Sequence, residues 1–181
     1  QGDTLVIGRK ALLAHARGLR DARDPAQALA LANAVRVLTA VREGPQGAST
    51  LNTRIEALLR GGEASPWFHG RLLLITENSY RHRLFNGDVG ICFAEPRGKV
   101  LAWFPGDADA APRAFHPAAL PAHDSAFAMT VHKAQGSEYG QVWLQLPLRD
   151  NRVLSRELIY TGMTRARDGL HLAASAPVLE L

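Results

Sequence analysis

Apolar residues recur with a helical period in some stretches of the chain and with a strand-like period in others, and the two kinds alternate towards both ends. Within residues 10–20, Leu12, Leu13 and Leu19 stand among Ala and Arg, which predicts a helix. In order along the chain, the pattern then predicts a helix from Pro25, a strand at 35–41, a glycine loop at 44–47 and a helix at 49–60 capped by Ser49. Strand, loop and helix in this order indicate an α/β unit.

The middle of the chain has the pattern of a small β structure. Short apolar runs predict strands at 71–75, 88–93 and 100–104, with turn signals at 86–87 and 96–98. After Pro121 the α/β pattern returns, with strands predicted at 127–130, 141–146 and 170–174 and a helix at 155–164. We therefore expect an α/β domain in two parts, 1–65 and 123–181, separated by a β insert at 66–122.

Composition narrows the class of protein. Hydrophobic residues make up 46% and charged residues 21% of the 181, so a packed core is expected. The net charge of +4 is compatible with a nucleic-acid partner, and no apolar run approaches the length of a membrane span. The single cysteine, Cys92, excludes an intrachain disulfide and a cysteine-rich zinc site. We expect a buried, inert thiol, a cytoplasmic protein and, since the sequence begins with Gln1, a fragment of a longer chain.

One polar segment, residues 130–139, follows an apolar strand. Gly136 lets a ligand approach the backbone closely. Backbone N–H groups, Lys133 and Thr130 can bind phosphate oxygens, and Glu138 suits a sugar hydroxyl. A solvated surface loop explains the same composition.

The second polar segment covers residues 157–167. Leu158, Ile159 and Met163 have helical spacing and can face the core, and the arginines at 165 and 167 then fall near the helix C-terminus, where the dipole favours cations. The functional alternative is an arginine that points at the γ-phosphate of a nucleotide held by a neighbouring domain.

Together, the two segments resemble motifs V and VI of superfamily 1 DNA helicases of the RecD type. The first matches the pattern T-x-H-K-x-Q-G-x-E and the second Y-T-x-x-T-R-A, in the right order and at a fitting distance. Residues 42–55 resemble an early part of the family's second motor domain. Gly70, Asn78, Tyr80 and the run 84–90 resemble the start of its inserted SH3-like barrel. The resemblance covers residues 35–174 and implies a RecA-like α/β second motor domain with an SH3-like β insert.

The resemblance also implies a role for each matching position. Arg165 is expected to be the catalytic arginine finger. The residues expected to bind nucleotide are Gln135, Gly136, Glu138, Lys133 and Arg42. Those expected to contact DNA are Thr130, His132 and Asn52, with a structural role as an equal alternative for His132.

A further basic and aromatic cluster lies beside the turn at 86–87. It consists of Tyr80, Arg81, His82, Arg83 and Phe85. Positive charge and stacking suit a single strand of DNA, with Arg81 and Arg83 as the phosphate contacts. A solvated hairpin is the alternative.

The sequence contains neither the P-loop pattern G-x-x-x-x-G-K-[ST] nor an Asp-Glu pair after a strand. In the family these motifs lie in an upstream RecA-like domain, so ATP and Mg²⁺ are expected to bind mainly there. The resemblance implies that domain, single-stranded DNA and other exodeoxyribonuclease V subunits as partners, in double-strand break repair. We expect the chain alone to be inactive and to hold no metal. The alternatives are a stand-alone RecD-like or relaxase-linked helicase, a non-catalytic DNA-binding scaffold, and a plain SH3-like interaction domain.

Overall fold

The structure is a computed structural model that describes residues 8–107, 110–149, 151–175 and 178. Its elements, in chain order, are helix α1 (Arg9–Arg20), α2 (Pro25–Ala32), strand β1 (Val35–Thr39), α3 (Ala48–Arg60), β2 (Leu72–Ile75), β3 (Val89–Ala94), β4 (Val100–Phe104), β5 (Arg113–Phe115), a 3-10 turn (Pro117–Ala119), β6 (His123–Ser125), β7 (Ala128–Thr130), β8 (Tyr139–Gln145), α4 (Arg156–Met163) and β9 (Ala166–Ala173). They form two compact units. The first unit takes the described residues within 1–13, 33–56 and 127–181, and the second unit takes 14–32 and 57–126.

The first unit is built on a four-stranded parallel sheet of order β7-β1-β8-β9. The inner strands are almost entirely buried, as expected for parallel strands covered on both faces. Arg36 of β1 is also fully buried, beneath the ring of Tyr139, and this burial lowers the pKa of its guanidinium. Since all four strands run the same way, β1 and β7 end at one edge of the sheet, the carboxyl edge. Strands β8 and β9 begin at the opposite, amino edge.

The second unit contains a five-stranded antiparallel sheet of order β5-β4-β3-β2-β6. Its core is a buried apolar cluster made of Leu73, Ile75, Leu84, Cys92, Ala102 and Phe104. Cys92 is buried in this core, as expected from the sequence. A Cβ at Gly90 would lie 2.5 Å from the Phe104 ring, so a glycine is needed where β3 passes under this core.

Two strands of the antiparallel sheet were absent from the sequence prediction. Strands β5 and β6 have three residues each, and β6 is polar, so neither shows the apolar alternation that identifies a strand locally. They become strands by pairing with β4 and β2. Helix α2 packs against β3 and β4. The second unit contains the described residues of 66–122 together with 14–32, 57–65 and 123–126.

Two local predictions were wrong: the start of the last strand and the cap of α3. Helix α4 ends at Met163 with Thr164 as its cap. The next residue, Arg165, already pairs with β8, because its carbonyl accepts from the Tyr139 N–H. Strand β9 therefore begins at Ala166 instead of 170, and Arg167 lies on that strand, not on a helix C-terminus. Ser49 lies within the first turn of α3, where its hydroxyl donates to Glu43 Oε1 at 3.0 Å.

Within the described residues, no helix is both long and apolar enough to cross a membrane.

Candidate functional site

Residues 131–138, here called the crossing segment, run from the carboxyl edge after β7 to the amino edge before β8. The segment is a series of tight turns, begun by Val131 N–H donating to the Thr39 carbonyl at 3.0 Å. Gly136 has φ +82°, a conformation that favours glycine. Two apolar side chains, Val131 and Ala134, are buried. The polar positions predicted for ligand contact share the exposed side: His132, Lys133, Gln135, Gly136 and Glu138.

Arg165 joins the second polar segment to the crossing segment. Its Nη1 donates to the Ser137 carbonyl at 3.2 Å. Its Nε donates to the Thr161 carbonyl at 3.2 Å, and its Nη2 to Thr164 Oγ1 at 3.3 Å. The side chain is half-buried, so it is held by the protein and still reaches solvent. The structure thus brings the two motifs together at the amino edge.

The amino edge carries further charge beside Arg165. Arg167 Nη2 lies 3.0 Å from Asp168 Oδ2. The hydrogen bond to Asp168 and its negative charge raise the pKa of Arg167, and the charge of Glu138 raises it by a smaller amount. The same hydrogen bond lowers the pKa of Asp168. Glu138 is exposed beside this pair of charged side chains.

A cavity of about 200 Å³ lies between the crossing segment and α4. It is lined by Val131, His132, Gln135, Val153, Ser155, Glu157, Leu158 and Thr161. At its helical side, the Ser155 hydroxyl accepts from the Leu158 N–H at 3.1 Å and caps α4. Hydrogen bonds from its own backbone and from Ser155 lower the pKa of Glu157. The sequence analysis did not assign Ser155, Glu157 or Thr161 to the site, although Glu157 and Thr161 belong to the second polar segment.

Two of the predicted contact residues lie at the other edge of the sheet. Thr130 is the last residue of β7, and its hydroxyl accepts from the Lys133 N–H at 3.3 Å. Arg42 follows the carboxyl end of β1, is exposed, and has its Nε 3.5 Å from Glu43 Oε1. The structure therefore does not place the predicted nucleotide contact Arg42 beside Glu138 and Arg165.

Asn52 is only 8% exposed and makes two buried hydrogen bonds to a single residue. Its Nδ2 donates to the Ala128 carbonyl at 2.8 Å, and its Oδ1 accepts from the Ala128 N–H at 2.7 Å. These bonds tie α3 to the outer edge of β7. The amide is thus used inside the protein, and DNA contact by Asn52 stays a prediction.

In the second unit, residues 79–85 form a turn with two exposed aromatic rings. Tyr80 is 79% and Phe85 43% exposed, and their rings meet edge to face with centroids 6.0 Å apart. Arg113 Nη1 and Nη2 donate to the carbonyls of His82 and Arg83, at 3.0 and 2.9 Å. These bonds fix the turn from β5.

The two arginines predicted to contact DNA differ within this turn. Arg83 has φ +51° and places its Nη2 2.7 Å from Asp107 Oδ2. Arg81 is exposed. Among the described residues, no group of three or more His, Cys, Asp or Glu could hold a metal ion.

Residues 125–173, which include both motifs, match the family model of the UvrD-like helicase C-terminal domain. The chain is 41% identical over 152 residues to "RecBCD enzyme subunit RecD" of Haemophilus influenzae, a match that covers 81% of this chain and 22% of that protein. The chain belongs to the RecD family. It is also 35% identical over 157 residues to "ATP-dependent RecD2 DNA helicase" of Deinococcus radiodurans, covering 82% of this chain and 21% of that protein. The chain therefore spans about a fifth of the length of these curated relatives.

Among solved structures, the crystal structure of Bacteroides Pif1 bound to ssDNA is similar. The likeness covers 95% of this chain and 50% of that chain, at 13% sequence identity and a TM-score of 0.48.

Proposed function

We propose that this RecD-type chain is the second RecA-like motor domain of a DNA helicase, with the five-stranded β structure of the second unit as its SH3-like insert. In the full-length protein it couples ATP hydrolysis to translocation on single-stranded DNA. The protein acts in the cytoplasm as a subunit of exodeoxyribonuclease V in recombinational repair of double-strand breaks. The observation that carries the proposal is the anchoring of Arg165, in one helicase motif, on the crossing segment that holds the other.

Arg165 acts as the arginine finger in this proposal. A guanidinium has five N–H donors in a planar fork, which fits phosphate oxygens. Three of the donors are bonded to protein acceptors, and no acceptor among the described residues takes the other two. The arginine is therefore pre-oriented, with donors left for the charge that develops on a transferring phosphoryl group.

The remaining nucleotide contacts follow from the exposed side of the crossing segment. Gln135 and Gly136 lie near the γ-phosphate, Lys133 near either ligand, and Glu138 contacts the nucleotide sugar. ATP and Mg²⁺ are bound mainly by the upstream RecA-like domain of the full-length protein, where Mg²⁺ supplies positive charge to the phosphates. The chain alone does not hydrolyse ATP.

Each of the two units offers its own contacts to DNA in this proposal. Thr130 and His132 contact it at the carboxyl edge. On the second unit, the Tyr80 and Phe85 rings offer stacking surfaces and Arg81 a phosphate contact. Arg83 contributes less, because Asp107 already pairs with it.

The test is DNA-stimulated ATP hydrolysis by the full-length protein carrying Arg165→Ala, measured together with its affinity for ATP. Loss of a finger lowers turnover on the order of a thousandfold and leaves ATP binding in place. Arg149→Ala is the matched control, since Arg149 is an exposed arginine of the first unit outside both motifs. Unchanged turnover in the Arg165 variant would contradict the motor role of this segment and favour the non-catalytic scaffold.

A further inference from the structure

The C-terminus of α4 carries a small hydrogen-bond network around Thr164. The Thr164 hydroxyl donates to the Thr161 carbonyl at 3.0 Å and accepts from Arg165 Nη2 at 3.3 Å. A hydroxyl has a single proton to donate. Because that proton is committed to Thr161, the lone pairs of Thr164 Oγ1 are fixed as the acceptor for the guanidinium.

The Thr161 carbonyl closes the network. The last carbonyls of a helix have no intrahelical donor and take other partners. Here the Arg165 N–H bonds to the Gly162 carbonyl, and the Thr161 carbonyl receives both the Thr164 hydroxyl and Arg165 Nε. The helix end therefore holds the guanidinium at Nε and at Nη2, while the Ser137 carbonyl holds it at Nη1.

We propose that Thr164 is a positioning residue for Arg165, which sets the orientation of the guanidinium fork before nucleotide arrives. The inference rests on the proposed role of Arg165 as the finger. An arginine side chain loses rotamer entropy when it is ordered. The Thr164 hydroxyl removes part of that freedom in advance, so its effect appears in the chemical step and not in nucleotide binding.

The experiment compares Thr164→Val with Thr164→Ser in the full-length protein. Valine keeps the branched shape and removes the hydroxyl, whereas serine keeps the hydroxyl. The readouts are kcat and KM for ATP in DNA-stimulated hydrolysis. We expect Thr164→Val to lower kcat about tenfold, the order of one hydrogen bond to a charged group, with KM changed by less than about twofold. Thr164→Ser should stay within about twofold of the unchanged protein in both constants.

The double variant separates a positioning role from a structural one. If Thr164 acts through Arg165, Thr164→Val adds no further loss in a protein that already carries Arg165→Ala. Thr164 is exposed, so its variants should melt at the temperature of the unchanged protein.

Three results would overturn the inference while leaving the finger in place: normal kcat for Thr164→Val beside a defective Arg165→Ala, equal losses for valine and serine, or additive losses in the double variant. Normal turnover of Arg165→Ala would overturn the proposed function, and this inference with it.

Discussion

The amide of Asn52 occupies the place of a neighbouring strand at the outer edge of β7. Replacing Asn52 with Ala removes two buried hydrogen bonds and leaves the N–H and carbonyl of Ala128 without these partners. Two such bonds contribute about 2 kcal/mol, and each buried group left unsatisfied costs about 1–3 kcal/mol. We expect a local destabilisation of about 3 kcal/mol at β7.

Amide hydrogen exchange in the full-length protein measures this loss directly. Since 1.4 kcal/mol corresponds to a factor of ten, the peptide that contains Ala128 should exchange roughly a hundredfold faster in Asn52→Ala. Thr53→Ala is the matched control on the same helix, because Thr53 is exposed and its hydroxyl donates only to the Ser49 carbonyl, at 3.1 Å. In Thr53→Ala, the free energy of local opening at Ala128 should change by no more than about 0.5 kcal/mol.

Asn52→Asp refines the test. The carboxylate still accepts from the Ala128 N–H, but its second oxygen replaces the donor that faces the Ala128 carbonyl. Exchange at Ala128 should rise at least as much as in Asn52→Ala. Normal exchange in both variants, with weakened binding of single-stranded DNA, would refute the structural assignment and support DNA contact by Asn52.

Three more predictions follow from local geometry. A Cβ at Gly162 would meet Leu144 and Val131 side chains at 3.0–3.2 Å, so Gly162→Ala should cost about 1 kcal/mol in thermal unfolding, whereas Gly18→Ala, with no atom within 4 Å, should stabilise by about 0.5–1 kcal/mol. Equal changes in stability for Gly162→Ala and Gly18→Ala would contradict the close packing around Gly162. Ser155→Ala should cost about 1 kcal/mol through loss of the α4 cap, measured by denaturant unfolding, and Ser155→Asp should restore it. Arg81→Ala should reduce the salt slope of single-stranded DNA affinity by about 0.7, while Arg83→Ala should change it less.

Elements that bury an apolar face along their own length could be predicted from the sequence. Helix α1 and strands β1, β2 and β4 show this local periodicity, and the structure confirms them. Strand β6, with the sequence His-Asp-Ser, has no such signal, because only pairing with β2 makes it a strand. The start of β9 could not be located for the same reason: the Arg165 carbonyl accepts from the N–H of Tyr139, a residue 26 positions earlier in the chain.

The candidate site, like the fold, could be predicted only in part from the sequence. The motif pattern predicted Arg165 and the crossing segment as candidate site residues, because the residue types and their order are carried by the sequence itself. The motif pattern did not show that the Ser137 carbonyl and the Thr164 hydroxyl hold the arginine, because these are contacts of the folded chain. The sequence could not show the buried pairing of Asn52 with Ala128 either, since the two residues are 76 positions apart.

Translocation along single-stranded DNA, followed by stopped-flow in the full-length protein at saturating ATP, tests the central claim most directly. We predict that the unchanged protein moves along the strand while it hydrolyses ATP, and that Arg165→Ala binds the same strand with normal affinity but does not move. Movement of Arg165→Ala at the rate of the unchanged protein would contradict the account.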